Sequence, residues 1–356
     1  MPLIRTTFIY ASLVIGTLIA PMTSEAQSSL INGPSLGFTP DSAGGTIWPI
    51  IGIPGASKLG THLAFDTGIR SAVISPKQDY AIAIHTEDGQ VSLVDLTAGT
   101  LSVNPITDAH PGGDVIAISP SGSAAAVYDD AAKTVQVIGG LPLTPGVIGV
   151  FDASSISGHG VSVAISDDGT VALLKSIADG GASLWVMDST GALSRLLVDR
   201  PSAAAFLPNR HDAIVTDDAS PSALLIMDVD RAGTQVPLVS GLEGMNTFSS
   251  VSVSDDGTQA FLADINAGAV AVVDLTTLKA NVLSCLCRPT GFYRLKGNSI
   301  FRLNEPSRAP VMVLDGSSAE PRIVVIPPLP GDGTGVLPAR RPAGRPSPSR
   351  TPAKYE

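Results

Sequence analysis

Apolar and polar positions along this chain fall into short runs, with no stripe repeating at the helical interval. Runs of four or five mostly apolar residues occur at 80–84, 124–128, 171–174, 213–216, 260–263 and 299–303, each entered from a turn. A second set is sharper still: Val91-Ser92-Leu93-Val94-Asp95, Leu184-Trp185-Val186-Met187-Asp188, Leu224-Leu225-Ile226-Met227-Asp228, Val270-Ala271-Val272-Val273-Asp274 and Val311-Met312-Val313-Leu314-Asp315. Shorter runs at 195–198, 235–239, 281–284 and 322–326 close each unit. Alternation reads as strands half covered, and unbroken apolar runs as strands covered on both faces.

A recurring phrase sets the period. It reads Ala117-Ile118-Ser119-Pro120 and returns as Val73-Ile74-Ser75-Pro76, Ala164-Ile165-Ser166-Asp167, Phe206-Leu207-Pro208-Asn209, Ser252-Val253-Ser254-Asp255 and Tyr293-Arg294-Leu295-Lys296. From Ser75 through Ser119, Ser166, Leu207 and Ser254 to Leu295 the steps are 44, 47, 41, 47 and 41 residues. Turns such as Asp167-Asp168-Gly169 and Asp255-Asp256-Gly257 follow, where glycine accepts the positive φ a tight hairpin needs. Four short strands per unit, repeated at this interval, predict an all-β chain: a β-propeller of four-stranded blades, each burying its faces against its neighbours. Six full repeats follow an N-terminal part-repeat at 36–53, where Asp41-Ser42-Ala43-Gly44-Gly45-Thr46 echoes Asp95-Leu96-Thr97-Ala98-Gly99-Thr100. The favoured count is seven blades, one incomplete, with six blades and an added hairpin as the alternative. The stretch 58–69 has no assignable structure.

The runs SPSGSAAAVYDDAAKTVQVI (119–138) and SDDGTQAFLADINAGAVAVVDL (254–275) resemble the blade repeat of the bacterial YVTN/NHL-like (lactonase-like) propeller superfamily, and the resemblance extends over 36–327. It implies the fold. It leaves activity open, because relatives include lactonases, lyases, surface-layer repeats and plain binding scaffolds. The Gly-His and Trp-Asp marks of the WD40 class are absent.

The two ends differ from the repeats. Residues 1–26 carry one early charge, Arg5, an apolar run at 8–20 and a small-residue site at Ser24-Glu25-Ala26, the pattern of an export signal cleaved before Gln27. A membrane anchor is the alternative, but the run is shorter than a bilayer span. Residues 27–35 are a lead-in, 36–328 the propeller, and 329–356 a Pro- and Arg-rich tail too poor in apolar groups to order itself. The tail is either a solvated end or a basic lure for an acidic partner. A net charge of −10 argues against nucleic acid, which needs clustered Lys and Arg. The expected product is an exported monomer, periplasmic or extracellular, without a membrane span once the signal is removed. Its partner would be a protein or a cell-envelope component.

Candidate chemistry is sparse. Cys285 and Cys287 are the only cysteines. They form a local disulfide, remain free thiols, or contribute to metal or redox chemistry; two thiolates alone make a poor zinc site. The strand-end aspartates Asp95, Asp188, Asp228, Asp274 and Asp315 suggest a metal ring, but each opens a turn whose backbone N–H groups a carboxylate can accept. The Asp-Asp-Gly turns lack the further ligands of a calcium loop. His62, His110 and His159 precede their anchors in loops expected at the channel mouth, with Asp108 and Asp114 beside His110. His85 and His211 are expected on other faces. No nucleophile elbow, phosphate loop or Cys–His pair appears, and 4 % aromatic content disfavours a stacking lectin. The reading is a scaffold that binds through the loop face, with ligand-face candidates His62, His110, Asp114 and His159, no catalytic residue assigned and no cofactor predicted. The alternative is a lactonase- or lyase-like propeller enzyme using the same His and Asp residues, with a divalent metal as its one candidate cofactor.

Overall fold

The computed structural model describes residues 33–328, apart from 42–44, 66, 98–100, 232, 307–308 and 319. The expected export signal, nearly all of the lead-in and the tail lie outside the described residues. Within them every sheet is antiparallel, and the strands form seven four-stranded blades in a ring: a seven-bladed β-propeller. Blades 1 to 7 span 35–64, 69–105, 115–152, 159–195, 201–240, 250–284 and 293–326. Among the described residues no helix is long and apolar enough to cross a membrane.

The anchor phrase has a local cause. In all six full repeats the anchor's backbone N–H donates to the carbonyl five residues on: Ser75 to Tyr80, Ser119 to Ala124, Ser166 to Val171, Leu207 to Asp212, Ser254 to Gln259 and Leu295 to Ile300. Where the anchor is serine, its fully buried Oγ also accepts the N–H of Tyr80, Ala124, Val171 or Gln259. The hydroxyl thereby fills a buried acceptor role that the turn leaves open. These turns define the lower face of the ring. The loops from each outer strand to the next inner strand define the upper face.

Four of the five strand-end aspartates behave as turn caps. Asp95 accepts the Thr97 N–H at 2.7 Å, Asp188 that of Thr190 at 2.8 Å, and Asp274 those of Thr276 and Thr277. Asp315 takes Ser317 in the same way, while Asp228 instead adopts a left-handed φ of 49°. The fourth strand of blade 4 runs Leu193–Arg195 rather than over 195–198. The Leu196 N–H still reaches the Leu184 carbonyl, and the Val198 N–H then folds back onto the Leu196 carbonyl.

No blade has a core of its own. The buried apolar residues form seven clusters, one in each gap between adjacent blades. The gap that closes the ring joins Leu36, Ile50 and Leu59 of blade 1 to Leu295, Ile300, Val311, Val313 and Ile326 of blade 7. Burying such side chains contributes roughly 1.5–3 kcal/mol each, so the gaps carry most of the stabilisation.

Blade 1 departs from the others in two ways. Its strands Ala56–Leu59 and Leu63–Ala64 share the outer edge of Thr46–Ile53, so the blade is three strands deep. These strands take up 58–59 and 63–64 of the unassigned stretch 58–69, and Ile69 opens blade 2. Its inner strand, Ser35–Pro40, also runs upward, opposite to the other six. The start of that strand meets lower-face turns, with the Leu36 carbonyl accepting the Lys296 N–H and the Phe38 N–H donating to Gln78. Asp41 therefore sits at the upper mouth and Asp95 at the lower face, so the echo between their segments is not a structural equivalence. Gln78 forms the seam. Its Oε1 accepts from Phe38 at 2.7 Å, and its Nε2 donates to the carbonyls of Ser75 at 3.0 Å and Arg294 at 2.7 Å, joining blades 2, 1 and 7. Gly37 has no room for a Cβ, which would lie 2.3 Å from Gln78 Oε1.

Candidate functional site

The lower face is tied together turn to turn. One Asp167 carboxylate accepts the Ser121 N–H of blade 3 and the Asn209 N–H of blade 5, both at 2.7 Å. Asp256 receives the Asn298 amide, and burial, which alone would raise its carboxyl, is outweighed by hydrogen bonds from Ser254, Thr258 and Asn298 that hold it at about 2. Arg294 bonds Asp255 and the Val253 carbonyl across the gap between blades 6 and 7, and burial lowers its guanidinium to about 10.

His211 also belongs to this face. Its Nε2 reaches Asp168 Oδ2 at 3.0 Å and its Nδ1 reaches Asp230 Oδ2 at 3.1 Å, bridging blades 4 and 5. Burial alone would lower the imidazole pKa, but the two carboxylates outweigh it and raise it. Asp168 is held well below the usual carboxylate range: burial opposes this, and hydrogen bonds from Ser166, Thr170 and His211 prevail.

The upper-face candidates do not converge. His62 is exposed between the two short outer strands of blade 1, its ring 4.9 Å from that of Trp48. His110 is exposed, with its backbone pinned at both ends by the Gln136 amide. Only Asp114 and His159 meet a common residue, Asp130. Asp114 Oδ2 accepts the Asp130 N–H at 2.9 Å, and His159 Nδ1 donates to Asp130 Oδ2 at 2.6 Å. Asp130 also accepts from Tyr128, Lys133 and the Gly160 N–H. Hydrogen bonds from Lys133, Tyr128 and His159 hold its carboxyl far below the ordinary range. A carboxylate that orients an imidazole is half of a general-base arrangement. Here the ring is 82 % exposed, and among the described residues no nucleophilic side chain bonds to it. His85, at the upper end of its strand, lies on this face too, contrary to the expectation, between Thr67 and Ser92.

Cys285 and Cys287 are joined by a disulfide with Cα atoms 5.0 Å apart. They follow the end of the strand Ala280–Ser284, so the loop, not a strand pleat, sets their approach. Among the described residues no group of three His, Cys, Asp or Glu side chains is arranged to hold a metal ion.

The chemically distinct region lies on the axis. A cavity of about 490 Å³ is bounded by the inner strands of all seven blades, with walls such as Val73, Ile116, Val163, Ala205 and Val251. One side is polar. Arg302, Tyr293 and Glu305 of blade 7 line it, with Arg70 of blade 2 and Thr46 of blade 1. Burial pushes the Tyr293 hydroxyl up, and a hydrogen bond to Glu305 adds to this. The sequence hides this side because Arg302 stands within Ile300-Phe301-Arg302-Leu303, an otherwise apolar run. Its signal was there: a cation at a buried strand position.

No protein-family model and no curated protein sequence matches the chain. Solved structures do. A protein of unknown function from Desulfotomaculum acetoxidans is 13 % identical with a TM-score of 0.55, over 82 % of this chain and 99 % of that one. Hydrazine synthase of Kuenenia stuttgartiensis is 13 % identical with a TM-score of 0.51, over 82 % of this chain and 95 % of that one. At this level the likeness is one of fold.

Proposed function

We propose that this chain is an exported binding propeller of the YVTN/NHL-like type that admits a ligand through the upper mouth of its axial cavity and performs no chemistry on it. The observation that carries the reading is the cavity itself. Its size lies in the range of small-molecule sites, and its apolar walls with a few polar groups on one side match how such sites are lined. The lower face, held by side-chain ties from turn to turn, acts as the rigid base. Export and the superfamily assignment rest on the N-terminal pattern and on the blade repeats.

The test is fluorescence titration with the neutral apolar probe N-phenyl-1-naphthylamine. Ala164 and Ala205 line the cavity, so Ala164→Phe with Ala205→Phe fills it. Saturable one-to-one binding is expected to disappear in that double variant and to survive Leu197→Ser on the outer surface, where Leu197 is exposed. Binding that persists after filling overturns the reading.

The Asp130–His159 pair favours a second reading, a lactonase- or lyase-like activity on the upper face. It predicts turnover of a lactone by the purified protein that His159→Ala removes.

A further inference from the structure

Arg302 has hydrogen-bonding capacity that the fold does not use. It ends the strand Ile300–Arg302, is 1 % exposed, and lines the axial cavity. Its neighbour Phe301 packs into the gap between blades 6 and 7, so strand alternation directs Arg302 from the opposite face of the blade. Nη1 is engaged, donating to the Asn304 carbonyl at 2.5 Å and to Glu305 Oε2 at 3.2 Å. Nε and Nη2 are buried and have no hydrogen-bond partner among the described residues. Tyr293, directly opposite in the sheet, lays its ring over the guanidinium with 3.9 Å from Cζ to the ring centroid.

The two unused nitrogens are not a random pair. Nε–H and one Nη2–H point in parallel from the same edge of the planar guanidinium, the fork that receives both oxygens of a carboxylate. Leaving charged donors buried and unpaired is costly, and an orphaned group of this kind calls for an acceptor. We propose that Arg302 anchors a carboxylate subsite of the axial cavity, and that the ligand is a monocarboxylate with an apolar body. This rests on the reading of the cavity as a ligand site.

The surroundings select within that class. Glu305 already occupies the Nη1 side, so a second ligand carboxylate there meets like charge. Much of the rest of the cavity wall is Ala, Val and Ile, which suits an alkyl or aryl body. Because so little of Arg302 is open, entry requires a side-chain movement, and Tyr293, which lines the same cavity, is the residue placed to make it.

Isothermal titration of the full chain with octanoate and with 1-octanol tests the subsite. Wild type is expected to bind octanoate more tightly than octanol. Arg302→Lys keeps the charge and loses the fork; it is expected to weaken octanoate by about tenfold or more and to leave octanol unchanged. Arg302→Met is expected to do the same; it removes the two unpartnered donors together with the ion pair to Glu305, so its Tm is measured alongside. Should that variant not fold, the Arg302 Nε–H signal in a ¹⁵N spectrum of wild type supplies the readout, and octanoate but not octanol is expected to shift it. Equal binding of acid and alcohol, or octanoate affinity indifferent to Arg302→Lys, overturns the carboxylate subsite and leaves the cavity reading standing. Binding of neither probe overturns both.

Discussion

Replacing Gln78 with glycine sets backbone preference against ring closure. Gln78 occupies a left-handed φ of 62° at the turn position three residues after the anchor, where Gly122, Gly169 and Gly257 stand in blades 3, 4 and 6. A non-glycine residue there costs about 1 kcal/mol. On local grounds alone, Gln78→Gly would therefore stabilise. The side chain argues the other way. It makes three hydrogen bonds at 2.7–3.0 Å, and at about 1 kcal/mol each their loss costs about 3 kcal/mol. The net expectation is a destabilisation of about 2 kcal/mol. With an unfolding entropy near 2.1 cal/mol/K per residue over roughly 290 residues, that lowers Tm by about 3 °C. Thermal unfolding followed by circular dichroism measures the shift. Hydrogen exchange at the Phe38 amide, which loses its acceptor, places it at the seam. A variant with unchanged or higher Tm refutes the claim that this side chain holds the ring closed.

Two further predictions concern the lower face. Asp167→Ala removes the acceptor shared by Ser121 and Asn209 and is expected to cost about 2 kcal/mol, read as a lower urea midpoint with unchanged slope; a loss under about 0.5 kcal/mol would show that the bridge is idle. His211 has a raised folded-state pKa, so its stabilisation is complete below its ordinary value of 6.5 and is lost as pH rises through the higher folded value. The Tm gap between wild type and His211→Asn is therefore expected to be wider at about pH 6 than at about pH 9, and a gap that grows with pH contradicts the assignment.

What was legible in the sequence is what a single repeat determines. The anchor serine caps its own hairpin, so Ser75, Ser119, Ser166 and Ser254 could be aligned without knowing what lies beside them. Asp95, Asp188, Asp274 and Asp315 are readable as caps for the same reason, since their partners are two or three residues away; Asp228 has the same sequence pattern and does not cap. Relations between blades were not legible. Gln78 looks like an ordinary turn residue until Phe38 and Arg294 are brought to it. His62, His110 and His159 share a loop class, but consecutive blades carry them around the ring, and each settles against a local neighbour: Trp48, the Gln136 backbone clamp and Asp130. The part-repeat at 36–53 is visible in the sequence but its reversed direction is not, because a hairpin pattern reads alike whichever way up it stands. Arg302 was hidden by its own strand.

The reversed blade 1 has a consequence for how the molecule forms. Among the described residues every blade is continuous in sequence, and no strand is exchanged between the first blade and the last. Almost all pairing is therefore hairpin-local and can form early. The contacts that complete the circle, such as Gln78 to Arg294 across 216 residues, carry the largest loop-closure entropy and come last. An open arc of six gaps is the natural late intermediate, exposing at its two ends the apolar faces of blades 1 and 7. Those faces match each other, so until the arc bends shut they are equally able to meet on a neighbouring chain.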